Sequence, residues 1–401
     1  MIQSTINGLY NVAGSYYRNK TQAVVEATKK STDISWWYYD NVWDDFSKNK
    51  LHTLGAVPLD DLYKLRAQQL RDKYDYLVLN YSGGADSHNI LMTFINNNIK
   101  LDEVFVKWSY KVESRIYKPD PNNKDAENMF SEWDYAIKPS LDWLSTYHPE
   151  IKINIGELFT DNPEQIYGGD TFNNLWQWTG WIEILRMRTM SDSLIKLSDK
   201  GVKVAQIYGI DKPYIAFSNN KCFLFFTDSS TSAAPDGLVS EWKTTFNTEA
   251  FYWTPDMPEI VFNQAFACMN YFSKDSALME LIEPGIWRAS KYKFLDNNSA
   301  ESRAMRLAAY KIQEYFNISK RIIYTTWNNN TFQVDKPVAF SYAGRSRDKK
   351  FFEYKDTELS QYFNTWDHHY QNWKNSVDST HLNETMNMKQ LSSKPFLVGN
   401  I

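Results

Sequence analysis

The chain has 401 residues, 43% of them hydrophobic, enough for a full core in two domains or in one domain with large extensions. A net charge of −4 with 23% charged residues leaves no general basic excess, so composition gives no reason to expect a nucleic-acid partner. Two cysteines, Cys222 and Cys268, with no CxxC pair, argue against a cysteine-based zinc or iron–sulfur site and against a secreted disulfide framework, and a reducing cytoplasm fits best.

The start, Met1-Ile2-Gln3-Ser4-Thr5, lacks a basic segment followed by an apolar core, so no signal peptide is expected. No apolar run reaches the roughly 18 residues of a membrane span, so no membrane partner is expected. Residues 1–59 read as an aromatic-rich extension, with Trp36, Trp37, Tyr38, Tyr39, Trp43 and Phe46 crowded together to pack over a neighbouring domain. Acidic Asp60-Asp61 open a helix running to Lys73, with Leu62, Leu65, Ala67 and Leu70 at roughly helical spacing.

Tyr76 to Tyr81 is the clearest strand, a short apolar run of the kind buried in a parallel sheet. It stops at Ser82-Gly83-Gly84, and Ser87 to Ile95 reads as a helix. Further strands are predicted at 103–108, 151–155 and 202–208, with a long helix over about 174–200. Strands alternating with helices predict an α/β fold with a Rossmann-like parallel sheet, whose ligands bind beyond the carboxyl ends of the strands. After Pro213, segments 214–218 and 221–226 form a hairpin at Asn219-Asn220. A turn-rich stretch at 228–237 places a boundary there, giving a domain over 60–235 and a mainly helical region over 236–401. Helices are predicted in that region over about 259–272, 299–316 and 357–375.

The glycine loop carries chemistry. Gly83 and Gly84 permit backbone angles that other residues resist and let N–H groups approach an anion closely. The following helix adds its positive end, and Ser82 and Ser87 add hydroxyls, so the loop makes a nest for phosphate. Asp86 would repel a polyphosphate unless a cation intervened, which points to Mg²⁺ bridging protein and phosphate. The bland alternative is an ordinary Gly-rich turn with a polar helix cap. There is no GxxxxGK[ST] and no GxGxxG.

Ser82-Gly83-Gly84-Ala85-Asp86-Ser87 resembles the SGGxDS pyrophosphate loop of the PP-loop ATP pyrophosphatases, which include asparagine synthetase, 7-cyano-7-deazaguanine synthase and the PAPS reductases. The resemblance covers about residues 60–215, and the loop is its only highly specific part. It implies a PP-loop (HUP-type) sheet, ATP and Mg²⁺ as cofactors, and adenylation of a carbonyl or carboxyl oxygen with release of pyrophosphate. It gives Ser82, Gly83, Gly84, Ala85, Asp86 and Ser87 the pyrophosphate role, with Ser82, Asp86 and Ser87 also catalytic and Asp86 a magnesium ligand.

Absences narrow the branch. Two cysteines cannot build a four-cysteine zinc site, the cysteine pairs and iron–sulfur clusters of the thiouridine-forming members have no counterpart here, and no cysteine lies in Ser393–Ile401, where reductases carry one. Ile2 stands where glutamine-dependent asparagine synthetases carry a nucleophilic Cys, so the expected nucleophile is an amine, ammonia, or ammonia from a separate partner. The activated partner is then a small-molecule or nucleobase-linked substrate.

Outside the loop, Asp211 is a candidate second magnesium ligand and Lys212 a candidate catalytic residue through contact with a phosphate, set against a solvated strand-end turn. Trp108 is a candidate for stacking on adenine, set against a core Trp. Asp256 and Glu259 are candidates for gripping an amine, set against a rigid helix-capping loop. The basic run Arg345 to Lys350 would close over ATP or hold a nucleic acid, or be a solvated loop. His368 and His369 are read as surface residues, because adjacent helical side chains diverge by about 100°. Two rivals remain: a nucleic-acid base-modifying enzyme of the same superfamily, and a non-catalytic binding or assembly protein on the same fold.

Overall fold

A computed structural model describes residues 8–18, 20–108, 133–157, 191–210, 214–218, 220–228, 247–274, 322–324, 391 and 393–401. The aromatic-rich extension opens with a small antiparallel sheet. Strands β1 (Leu9–Val12) and β2 (Ser15–Tyr17) turn at Ala13 and Gly14, both at positive φ, and helix α1 (Lys20–Lys30) precedes β3 (Ile34–Trp37). The order is β2-β1-β3. Helix α2 (Asp40–Asn49) then buries Trp43 and Phe46. The aromatic cluster packs across the fold as expected: Trp36 stacks on Tyr38 with centroids 5.0 Å apart, and the Tyr38 hydroxyl donates to the Trp253 carbonyl at 2.9 Å.

Helix α3 (Leu59–Lys73) leads into β4 (Tyr76–Asn80), and the glycine loop joins β4 to α4 (Ala85–Asn96). Strand β5 (Glu103–Trp108), helix α5 (Lys138–Tyr147), strand β6 (Lys152–Glu157), helix α6 (Asp192–Ser198) and strand β7 (Val204–Tyr208) follow. The hairpin is β8 (Tyr214–Ser218) with β9 (Lys221–Phe225), and Asn220 in its turn has φ +57°. Strand β10 (Asn247–Ala250) and helix α7 (Pro258–Phe272) come next, and β11 (Phe396–Asn400) is the last strand.

The central sheet is five-stranded and all parallel, in the order β10-β7-β4-β5-β6. Numbered by chain order within this sheet, the strands read 3-2-1-4-5 from the β6 edge. The chain builds outward from β4 to β5 and β6, then returns to β4's other side with β7. The carboxyl end of β4 is therefore the topological switch point, where connections on either side of the strand leave in opposite directions and open a crevice.

Alternation along the strands gives two apolar faces. Leu77, Leu79, Val104, Val106, Ala205 and Ile207 share the main core with Ile90, Leu91 and Phe94 of α4. Val78, Phe105 and Val204 point the other way and pack with Leu194 of α6.

The fifth strand begins at residue 247, beyond the turn-rich stretch read as a boundary, so the segment 228–237 lies between two strands of one sheet. The far end of the chain is not helical: β11 pairs antiparallel with β9 in a third sheet, β11-β9-β8. The Ser47 hydroxyl donates to Leu397 O at 2.8 Å and Lys394 pairs with Asp44, fixing β11 against α2. The helices expected over 299–316 and 357–375 and most of that over 174–200 lie outside the described residues.

Candidate functional site

Strand β4 delivers the loop to the switch point. Its three central residues are fully buried, and the Tyr81 N–H continues the ladder to Phe105 O at 2.8 Å. The backbone then reverses at Gly83, with φ +71°. A side chain here would adopt a left-handed conformation, costing about 1–2 kcal/mol, and its Cβ would lie 2.9 Å from Ile137 Cγ1. Glycine is required at this position for both reasons. Gly84 is the N-cap of α4, with extended backbone angles.

The two serines close the loop on itself. Their hydroxyl oxygens lie 3.2 Å apart, Ser82 N donates to Ser87 Oγ at 3.2 Å, and Ser87 Oγ donates to Gly84 O at 3.2 Å. Gly84 N donates to Ser82 Oγ at 3.4 Å. Ser87 is 4% exposed while Ser82 faces solvent. One hydroxyl braces the loop from inside and the other stands at its mouth. The first turn of a helix presents N–H groups without intrahelical acceptors and a partial positive charge. Gly209, just after β7, allows β7 to approach this turn: a Cβ there would lie 3.2 Å from the Asp86 carbonyl carbon and 3.3 Å from Ser87 N.

Asp86 is half-buried in that first turn. The Tyr324 hydroxyl donates to its Oδ1, and the Tyr252 hydroxyl donates to its main-chain oxygen at 2.9 Å. Burial, reinforced by neighbouring tyrosines and by Asp86, pushes both phenols far above their ordinary range, so both stay protonated donors. Sequence reasoning singled out neither Tyr324 nor Tyr252. Both lie far from the loop in the chain, and neither belongs to a local motif.

Trp108 is 3% exposed and stacks on Trp133 at 5.3 Å, the arrangement of a core residue. A base stacking on that ring face has to displace Trp133. Its neighbour Lys107 reaches across β4, with Nζ 3.3 Å from the Tyr208 hydroxyl and 5.4 Å from the ring centroid. Gln206 interrupts the apolar run of β7. It is fully buried, with Nε2 3.5 Å from Asn80 Oδ1 at the end of β4, and its Oε1 has no hydrogen-bond partner among the described residues.

Asp256 sits 3.8 Å from Arg66 and 3.9 Å from Lys73, beside the buried Arg66–Glu249 pair at 2.9 Å. Burial works against the Glu249 charge, but Arg66, Lys73 and Tyr74 outweigh it and hold the carboxyl below its usual range. This cluster joins α3 to β10 as a structural ion pair. Glu259 starts α7 and its carbonyl accepts from Asn263 at 2.8 Å. Asp211, Lys212, the basic run Arg345 to Lys350, and His368 and His369 lie outside the described residues. Among the described residues no group of three or more His, Cys, Asp or Glu gathers as a metal cluster, and no helix is long and apolar enough to cross a membrane.

The structure thus brings Ser82, Gly83, Gly84, Ala85, Asp86 and Ser87 together in one loop at the carboxyl end of β4, with Trp108 packed into the core. No protein-family model matches the chain, and neither the curated proteins nor the solved structures yield a match to it.

Proposed function

We propose that the 82–87 loop binds the polyphosphate of ATP together with Mg²⁺, and that the protein splits ATP between the α- and β-phosphates to adenylate a second substrate. The observation that carries this reading is the position of Ser82-Gly83-Gly84-Ala85-Asp86-Ser87: it lies at the switch point of a parallel sheet and runs straight into a helix N-terminus. The 3-2-1-4-5 order supports assigning the sheet to the PP-loop type.

A carbonyl or carboxyl oxygen of the second substrate attacks the α-phosphorus, and pyrophosphate leaves with the bonding electrons. An amine or ammonia then attacks the activated carbon, AMP departs, and an amide or related C–N bond is formed. The loop's backbone N–H groups and the Ser82 hydroxyl hold the leaving pyrophosphate. Asp86 fits magnesium, because that ion is commonly held by one or two carboxylates with the remaining positions filled by phosphate and water. Asp211 is the expected second carboxylate and Lys212 the expected phosphate contact. Magnesium supplies charge neutralisation for the pyrophosphate as it leaves.

Incubation with α-labelled ATP, Mg²⁺ and candidate acceptors is expected to release AMP and pyrophosphate. Asp86→Ala should lower turnover by about 10²–10³-fold, the usual cost of losing one electrostatic contact to the transition state. Release of ADP instead, or full activity in Asp86→Ala, would remove the assignment.

A further inference from the structure

Asp86 is held by tyrosines from distant parts of the chain. Tyr324 donates to its carboxylate and Tyr252 to its main-chain oxygen. Tyr252 also accepts from Asn89 Nδ2 at 3.1 Å, and its ring lies 5.3 Å from that of Tyr324. Behind them, Tyr63 of α3 donates to the Ile323 carbonyl at 2.6 Å and accepts from Gln264 Nε2 of α7 at 2.9 Å. Segment 322–324 is thus pinned between α3, which α7 braces through Gln264, and the helix that carries the loop. Tyr63, Tyr252 and Tyr324 are all essentially solvent-free.

The choice of acceptor is informative. A buried phenol that needs only a partner is satisfied by a backbone carbonyl, as Tyr63 is. Tyr324 instead donates to the single acidic side chain of the 82–87 loop. A neutral donor orients a carboxylate without cancelling its charge, which is how groups behind a metal ligand act.

We propose that Tyr324 is a positioning residue for Asp86: its hydroxyl fixes the direction in which the carboxylate receives magnesium, while Tyr252 fixes the helical turn that carries it. This rests on the reading of the loop as an ATP and magnesium site. Docking of segment 322–324 on α4 then becomes part of building the loop's metal affinity, although the segment supplies no ligand.

The test is calorimetric titration of ATP into the full chain at a series of Mg²⁺ concentrations, for wild type, Tyr324→Phe, Tyr252→Phe and Asp86→Ala. Tyr324→Phe keeps the ring and is expected to raise the Mg²⁺ midpoint for ATP binding by about 10-fold, with wild-type ATP affinity restored at saturating Mg²⁺. A purely structural role predicts ATP affinity lowered at every Mg²⁺ concentration, and that result, or an unshifted midpoint, overturns the proposal. If Tyr324→Phe does not fold, Tyr252→Phe decides: a rise of about 3-fold supports positioning and no rise overturns it. The wild-type and Asp86→Ala arms separate the two layers. Wild-type binding that needs no Mg²⁺, or no ATP binding at all, overturns both the loop reading and this proposal. Mg²⁺-dependent binding abolished in Asp86→Ala, with Tyr324→Phe unshifted, overturns the positioning role alone.

Discussion

Acidic side chains stand at both ends of the parallel sheet, buried at the amino end as Asp102 and Glu103 and half-buried at the carboxyl end as Asp86, and their partners differ. At the amino end, Asp102 and Glu103 are met by cations: Arg71 at 2.6 Å and Lys100 at 2.7 Å on Asp102, and Lys152 at 3.2 Å on Glu103. Glu103 also accepts from Tyr76 at 2.9 Å, from Asn154 at 3.1 Å and from Ser191. Asp102 accepts from the Leu77 N–H at 2.8 Å, which fixes the start of β4. At the carboxyl end, the neutral Tyr324 hydroxyl donates to the Asp86 carboxylate and the Tyr252 hydroxyl to its main-chain oxygen. The cations on Asp102 and Glu103 give those carboxylates a structural task. Charge oriented by neutral donors beside a helix N-terminus is suited to a cation that arrives with an anion.

This contrast can be broken by substitutions at each end. The largest stability loss is expected for Arg71→Ala, which leaves Asp102 buried with, among the described residues, only the exposed Lys100 as a cation. Breaking a buried pair in this way costs about 3 kcal/mol, and denaturant unfolding should show that loss while ATP affinity of the folded protein stays unchanged. Gly83→Ala should cost about 2 kcal/mol from its positive φ and its crowding against Ile137, and it should also weaken ATP binding because the loop backbone moves. Weakened ATP binding in Arg71→Ala, or intact binding in Gly83→Ala, would erase the distinction between the two ends.

The smallest effect is on acid stability. Burial alone would raise the Glu103 pKa, but hydrogen bonds from Ser191, Ser193, Asn154 and Tyr76 outweigh it and lower the value. A lowered folded-state pKa contributes stability that is complete above the unfolded carboxyl value of about 4.3 and is lost as pH falls below it. Glu103→Gln should therefore flatten the loss of stability on acidification below that pH, measured by urea unfolding at stepped pH. An unchanged acid slope would show that the network does not hold Glu103 ionised.

Local signals made the centre of the molecule legible in the sequence. An apolar run, two glycines and a following amphipathic stretch identify β4, the loop and α4 within a residue or two, because each is specified by neighbours along the chain. The same holds for β5 and the β8–β9 hairpin. Strand β10 was not legible: Asn-Thr-Glu-Ala is polar and short, and it becomes a strand only by pairing with β7 at the sheet edge. The β1–β2 turn was hidden because Ala13, not Asn or Asp, occupies its first positive-φ position. Trp108 illustrates the opposite limit, since a strand-end Trp fits a base or a core equally well until Trp133 is seen against it. The tyrosines around Asp86 were out of reach because their contacts join segments that no periodicity links.

Amide hydrogen exchange with and without ATP and Mg²⁺ tests most directly the proposal that the carboxyl end of the sheet binds a nucleotide. Peptides over 81–90 are expected to exchange more slowly when both are added, with 100–104 at the opposite end unchanged. Unchanged exchange over 81–90, or protection confined to 100–104, would contradict a nucleotide site at the Ser82 loop.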